Sequence, residues 1–451
     1  MSSTTQPVRY PDTRSRPEMT KRAWWLVALN LLIPGSAQAV AGNRRMGRFG
    51  LGATVVLWVL VVVAIVVAIV DRSALLAAVT NTAVLVILVI VAIFYAVLWV
   101  VLTLDTLRLV RFVNVYPRAR GLVAAFGVLT LLLTIGVPGF VASTSVSAIG
   151  LLAIFAPGPP VPPIDGRYNI LLLGGDAGPD RNGLRPDSLS VVSIDANTGA
   201  ATIFGIPRNL EQVPFVAGSP LYGPFPNGYN CGNDCLIDYL YTYGEEHPDL
   251  YPDAKKHSSN PGIEAVRDAV EGVTGLTIPY YGLIDMQGFA DLIDALGGVD
   301  VDVAARLPIG SNNYDDGSAA PPIGYIEAGQ QHMDGQTALW YARSRYGSND
   351  YERMARQRQV QEAILAQADP ATVLLKFQGI AAAGAQVVST DIPQSMLAYF
   401  VELAAKTKEL PLTKVDFVPP LIKTGNPDYA VIRQAVVDGT RPVTATPTPT
   451  P

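Results

Sequence analysis

The sequence predicts a membrane region of α-helices followed by a three-layer α-β-α domain built on a mixed central sheet. Three observations predict it. Long apolar stretches crowd the first third of the chain. A Pro-rich joint ends them. Beyond the joint, short apolar runs alternate with helix-length amphipathic segments. The 451 residues allow two or three domains. Hydrophobic residues make up 49% and charged residues only 16%, with a mean hydropathy of +0.29. The net charge of −5, from 33 Lys+Arg against 38 Asp+Glu, argues against general nucleic-acid binding.

Segments 51–70, 83–104 and 122–142 are each long and apolar enough to span a bilayer, which takes about 20 residues. A fourth apolar stretch, 23–42, is broken by Pro34-Gly35-Ser36. Lys and Arg gather in 43–48 and in 108–120, which places those loops in the cytoplasm. The loop 71–82 holds only Arg72 against Asp71 and is expected outside. Residues 1–22 form a basic cytoplasmic N-terminus. The basic residues on both sides of 23–42 favour a re-entrant hairpin over a fourth span. No cleaved signal peptide is expected, because apolar segments continue well past any cleavage site. The membrane region therefore covers 23–155. Everything after it is expected to be extracytoplasmic in a multi-pass membrane protein.

Residues 156–166, "APGPPVPPIDG", read as a stiff linker. Residues 441–451 read as an exposed Thr/Pro tail. Between them lies one domain, 167–440. "YNILLLGGD" is a buried strand ending in glycines. "LSVVSID" and "ATIFGIP", joined by "ANTG", suit an antiparallel pair. "VDVDV" (299–303) and "KVDFVPP" (414–420) are two further strands. Helices are expected at 236–244, 262–274, 286–296, 334–340, 350–368 and 391–407. The two cysteines, Cys231 and Cys235, lack the extra ligands of a metal site. A local disulfide is expected if this part lies outside the cytoplasm.

The stretch 338–360 carries Arg343, Arg345, Arg353, Arg356 and Arg358. On a helix starting near Asp350, Arg353, Gln357, Val360 and Ile364 share one stripe, with Arg356 beside it. Val360 and Ile364 should face the core, so the early turns turn Arg353, Arg356 and Gln357 inward. Arg358 falls with Glu362 on a face that reads as solvated surface. Inward guanidiniums need an anion. Asp350 and Glu352 are too few for them, and planar Arg forks suit phosphate oxygens. An ion-pair network on an amphipathic helix explains the spacing equally well. Two more stretches favour a site. Arg185 and Asp187 precede one strand, and Asp195 ends it. Arg208 follows the next strand. Taken singly, Asp195 reads as a turn residue and Arg208 as a partner of Glu211. Taken together, they offer carboxylates for a hard divalent cation and guanidiniums for a phosphate.

In order and spacing, "YNILLLGGDAGPDRNGLRPDSLSVVSID", "ATIFGIPRNL", "GLIDMQGFADLIDALGGVDVDV", "IEAGQQHMDGQTALWYARSRY" and "NDYERMARQRQ" resemble the signature blocks of the LytR–CpsA–Psr family. The resemblance implies a membrane-anchored enzyme that transfers a glycopolymer from a polyprenyl-pyrophosphate carrier to peptidoglycan, at a pyrophosphate–Mg²⁺ (or Mn²⁺) centre with a hydrophobic groove for the lipid. It implies pyrophosphate binding by Arg185, Arg208, Arg343, Arg345, Arg353, Arg356 and Gln357. It implies metal binding by Asp187 and Asp195. Asp350, with Arg208 and Arg353, would carry catalysis, Asp350 positioning or deprotonating the acceptor hydroxyl. That hydroxyl would attack either an anomeric carbon or a phosphorus. Two departures stand out: Asn209 follows Arg208 where the family has Asp, and Leu236 stands where a Lys is common. The alternatives are a phosphatase acting on the same lipid and a non-catalytic membrane sensor of wall precursors.

Overall fold

The computed structural model describes residues 9, 11–176, 185–310, 321–344, 348–367 and 388–441. The chain forms two compact units, Met1–Ile149 and Gly150–Pro451.

The first unit is helical. Its elements are α1 (Arg16–Leu32), α2 (Ser36–Ala41), α3 (Arg44–Val70), α4 (Arg72–Val79), α5 (Thr82–Val110) and α6 (Pro117–Leu152). Three of these, Arg44–Val70, Thr82–Val110 and Pro117–Gly150, are long and apolar enough to cross a membrane. The Asn43 and Asn81 side chains cap α3 and α5 by accepting from the first free backbone N–H groups. The stretch around 23–42 folds as a helix, a break and a second helix. Gly35 takes the left-handed conformation at the break, with φ 97°. Both arms pack on the same part of α5. Arg22 donates to the Leu109 carbonyl (2.7 Å), Asn30 to Thr103 Oγ1 (3.0 Å), and Gln38 to the Leu102 carbonyl (2.7 Å). The first arm thus runs from the C-terminal end of α5 toward its middle, and the second turns back beside it. Glycine also lets α3 approach α2 closely, since a β-carbon on Gly47 would collide with the Ala39 backbone.

The second unit is a mixed six-stranded sheet between helical layers. Its strands are β1 (Arg167–Asp176), β2 (Arg185–Asp195), β3 (Ala201–Ile206), β4 (Tyr280–Asp285), β9 (Val388–Thr390) and β10 (Thr413–Asp416), in the order β10-β3-β2-β1-β4-β9. Strand β1 runs antiparallel to β2 and parallel to β4, while β10 runs parallel to β3. Small antiparallel ladders pair β5 (Val299–Val303) with β8 (Gly329–Met333), and β6 (Leu307–Ile309) with β7 (Gly324–Ile326). The helices are α7 (Leu240–Glu246), α8 (Pro261–Thr274), α9 (Met286–Leu296), α10 (Gly335–Arg343), α11 (Asp350–Gln367), α12 (Leu397–Lys408) and α13 (Tyr429–Thr440).

Strand side chains alternate between faces, and here both faces are apolar. On one face Leu171, Leu173, Leu189, Val191, Phe204 and Ile206 pack into the main core, together with Ile263 and Val270 of α8 and Ile432 of α13. On the other, Leu172, Val192, Ile194 and Ile203 look toward α9, α11 and α12. Two-sided burial explains the continuous apolar run in β1. The strand "VDVDV" forms, but in the β5/β8 ladder rather than in the main sheet. Strand β4, the parallel neighbour of β1, carries two tyrosines and a glycine after a proline. That composition hid it from the sequence reading.

The structure corrects the solvated reading of Arg358 in α11. Arg358 is 5% exposed, and its Nε and Nη2 both donate to Asp416 Oδ1, at 3.1 and 2.9 Å. Its helix face is covered by β10, not by water. Glu362, on the same face, pairs with Lys414 at 2.7 Å. Gly205 of β3 makes room for the pair, since a β-carbon there would collide with Arg358 and Asp416. Arg358→Ala should lower the unfolding free energy of the purified full chain by about 2 kcal/mol, the worth of a charged hydrogen-bonded contact. A loss under about 0.5 kcal/mol, typical of a surface change, would restore the solvated reading.

Candidate functional site

The strand directions set where the site lies. The carboxyl ends of β1, β3, β4 and β10 and the amino end of β2 share one edge of the sheet. Loops beyond carboxyl ends are where α/β sheets assemble sites. Arg185 and Asp187 come from β2, Arg208 from the turn after β3, and Asp350 and Arg353 from the first turn of α11.

Arg208 stands between three carboxylates. Its Nη1 donates to Asp187 Oδ1 at 2.7 Å and lies 3.7 Å from Asp238 Oδ2, while its Nε is 3.5 Å from Asp350 Oδ2. Arg353, with a side chain only 3% exposed, lies 3.9 Å from Asp187 and 3.7 Å from Asp350. Arg185 reaches Asp238 at 3.3 Å. Only one of these pairs is tight. The Arg208 Nε and the Asp238 Oδ1 are buried without a hydrogen bond among the described residues. Buried polar atoms left in that state are costly unless something else occupies them. Burial pushes the Asp238 carboxyl up to about 6, against the opposing pull of Arg185 and Arg208. Asp238 was not foreseen, for it sits in an apolar block, "CLIDYLYTYG", and only the fold reveals its neighbours.

Asp187 also lines a cavity of about 480 Å³ between the sheet and α9–α12. The mouth carries Asp187, Ser188, Arg343 and Gln357. The body is apolar, with Leu172, Val192, Ile203, Phe289 and Ile364 among its walls. It follows β2 from Asp187 to Ile194, which is about 23 Å at strand rise.

A LytR_cpsA_psr family model matches residues 160–431. The chain belongs to this family. Among relatives, the polyisoprenyl-teichoic acid–peptidoglycan teichoic acid transferase TagU of Halalkalibacterium halodurans is 26% identical over 227 residues, covering 50% of this chain and 61% of TagU. TagV of Bacillus subtilis is 28% identical over 210 residues, covering 46% of this chain and 45% of TagV. The chain thus spans less than two thirds of the length of either relative. Among solved structures, that of B. subtilis TagV is similar at 23% identity and a TM-score of 0.42, over 60% of this chain and 96% of that one. TagT bound to LI-WTA is similar at 18% identity and a TM-score of 0.41, over 62% and 92%.

Within the family domain, the cluster gathers Arg185, Asp187, Arg208, Asp350 and Arg353, with Arg343 and Gln357 at the cavity mouth. Arg345 lies outside the described residues. Arg356 has another task. It donates to the carbonyls of Tyr341 and Ser344 and to Ser348 Oγ, bracing the end of α10 against α11. Its guanidinium is therefore spent on these three oxygens rather than on the cluster. Asp195 is also displaced. It sits at the far end of β2 from Asp187, about 26 Å away at strand rise, so the two cannot share an ion. Asp195 instead accepts from the Asn197 and Thr198 backbone N–H groups in the β2–β3 turn and faces Arg167. Those hydrogen bonds draw its carboxyl below the usual range despite partial burial. The shortage of acids also needs amending. Asp238 supplies a third carboxylate, so Arg185, Arg208 and Arg353 meet Asp187, Asp238 and Asp350. Cys231 and Cys235 form a disulfide.

Asp195→Ala should cost about 1–2 kcal/mol of stability through the lost turn bonds and leave binding of inorganic pyrophosphate to the full chain unchanged by calorimetry. Arg353→Ala should abolish that binding. Loss of binding in the Asp195 variant would restore its metal role.

Proposed function

We propose that this protein transfers a glycopolymer from a polyprenyl-pyrophosphate carrier to peptidoglycan. The observation that carries this reading is the Arg/Asp cluster opening, through Asp187, onto a long apolar cavity. A prenyl chain suits the cavity body. The diphosphate would lie at the mouth, among Arg208, Arg343 and Arg353. The similar TagU and TagV transferases support the same chemistry. In this reading the protein is a multi-pass membrane protein with basic loops in the cytoplasm, and the family domain lies outside, where peptidoglycan is.

The chemistry follows from the donors. An acceptor hydroxyl oxygen attacks the phosphorus bearing the polymer. The bond from that phosphorus to the prenyl-phosphate oxygen breaks, and the electron pair leaves with prenyl monophosphate. The product is a phosphodiester between polymer and peptidoglycan. Guanidiniums fixed before reaction stabilise charge as it develops on the phosphates. The hydroxyl proton passes to a carboxylate. Asp238, held near 6, suits that task close to neutrality. Asp350 touches Arg208 and Arg353 and orients both. Distance along β2 keeps Asp195 from sharing an ion with Asp187. A hard divalent ion fits Asp187 alone if phosphate oxygens complete its shell. Such an ion would offset phosphate charge.

Purified full chain, incubated with lipid-linked glycopolymer and peptidoglycan, should yield covalently attached polymer and prenyl monophosphate. Free polymer and lipid phosphate alone would identify a phosphatase instead. Arg208→Ala or Arg353→Ala should lower attachment at least about 100-fold. Unchanged attachment in both variants would place catalysis away from these guanidiniums, and no attachment by the folded wild type would point to a sensor.

The charged groups facing Asp238 are Arg185, Arg208 and Asp187, with the buried Tyr229 hydroxyl beyond them. The transfer rate should fall as pH drops through about 6, where Asp238 takes up a proton. Asp238→Asn should remove that limb and cost about 10²–10⁴-fold in rate. Stability runs the other way. Because folding raises this carboxyl above its unfolded value of about 3.9, its contribution is present below that pH and is lost as pH rises through about 6. Thermal scans from pH 4 to 7 of the wild type and Asp238→Asn check the sign.

A further inference from the structure

Helix α10 ends without a glycine. Its cap, Ser344, leaves the helix at φ −54° and ψ 134°, so no left-handed turn folds back to meet the last carbonyls. A side chain from α11 meets them instead. Arg356 Nε donates to the Tyr341 carbonyl at 3.0 Å. Its Nη2 donates to the Ser344 carbonyl and, at 3.0 Å, to Ser348 Oγ. A guanidinium at a helix C-terminus also complements the helix dipole. From the other side, Ser344 Oγ donates to the Pro308 carbonyl of β6 at 3.2 Å. The turn held in this way carries Ala342 and Arg343, which line the cavity, as does Gln357, the neighbour of Arg356. Arg343 is exposed. A long exposed side chain has many rotamers, so the reach of its guanidinium is set by the backbone that carries it. Arg353, one turn before Arg356 on α11, is buried in the cluster. The contacts of Arg356 therefore set the span between two guanidiniums on different helices.

We propose that Arg356 is a positioning residue for the donor. By clamping the last turn of α10 onto α11 it fixes Arg343 relative to Arg353, so that both reach one diphosphate, and it makes no contact with substrate itself. This role deepens the transferase reading above and rests on it. It replaces the ligand role that the family resemblance implies for Arg356. Three features carry it. The Nε and Nη2 protons of Arg356 are taken by three oxygens of the α10–α11 junction. Arg356 does not line the cavity, whereas Arg343 and Gln357 do. Finally, the α10 carbonyls need a forked donor, which a guanidinium provides and an ammonium does not.

The test is a double-mutant cycle on the full chain in nanodiscs. Calorimetry reads binding of inorganic pyrophosphate, and the transfer assay reads KM and kcat for the lipid donor. Arg343→Ala should raise the pyrophosphate Kd about tenfold, the worth of one charged hydrogen bond. Arg356→Ala should raise it nearly as much. The double variant should bind no worse than Arg343→Ala alone, because Arg356 acts through that residue. The donor KM should follow the Kd, with kcat lowered less. Arg356→Lys should recover only part of the affinity, and it takes the place of Arg356→Ala in the cycle if circular dichroism shows the latter unfolded. Arg358→Ala, which loosens α11 from β10 instead, should lose stability and keep the Kd; a raised Kd there would mark general loosening of α11 and overturn the inference. If the losses multiply to about 100-fold in the double variant, Arg356 touches the diphosphate itself and the inference fails. If Arg356→Ala lowers the melting temperature and leaves the Kd unchanged, the clamp is structural alone and the inference fails too. If the cycle shows the coupling but the wild type transfers no polymer, the positioning role stands and the transferase reading falls. A wild type that binds no pyrophosphate would overturn both.

Discussion

The contacts of Arg208 organise the site. One guanidinium, placed by the turn after β3, meets Asp187 from β2, Asp238 from the segment before α7, and Asp350 from α11. Those carboxylates come from three stretches far apart in sequence. Each of them also touches a second arginine: Asp187 and Asp350 meet Arg353, and Asp238 meets Arg185. Removing Arg208 would leave Asp238 buried with a single, 3.3 Å partner, and an uncompensated charge at that depth is among the costlier defects a fold can carry. The arrangement needs every strand end in register, which the β1–β2 and β2–β3 pairings provide.

The sheet has to serve two interiors at once. Its one face is filled by α8 and α13 and reads as an ordinary core. Its other face borders a cavity that the surrounding helices do not fill. The apolar wall beside the charged cluster excludes water from one side, which strengthens every ionic contact at the mouth. The cost appears at Asp238, whose carboxyl is held near 6 although two arginines pull it down.

Much of this was legible in residues. The mixed α/β class followed from apolar runs and their connections, and the inward turn of Arg353 followed from its stripe with Val360 and Ile364. Misreadings had a common physical origin. Arg358, Arg356 and Asp195 each have a local reading, as surface, ligand or metal residue, that a long-range neighbour decides. Asp416 in β10 buries Arg358. The carbonyls ending α10 take Arg356. The length of β2 carries Asp195 away from Asp187. Helical periodicity gives a face but not what covers it, and strand boundaries give residues but not which end points to the site. Asp238 was missed for the same reason, since nothing in "CLIDYLYTYG" signals two arginines from other elements.

Charge accounting at the mouth bears on what the proposed diphosphate requires. Among the described residues, the guanidiniums of Arg185, Arg208 and Arg353 face the carboxylates of Asp187, Asp238 and Asp350, so the cluster is close to neutral before substrate arrives. Near-neutrality lets the domain fold without a pocket of unmatched cations. A diphosphate linkage would bring about two negative charges into a half-buried place, which a balanced cluster does not offset. Protonation of Asp238 would remove one, but it would also disable the proposed proton acceptor. A divalent cation held at Asp187, as proposed, would remove the excess while leaving Asp238 ionised. The reason to expect a metal thus lies in the balance of charge around one carboxylate, and not in the paired carboxylates that the sequence suggested.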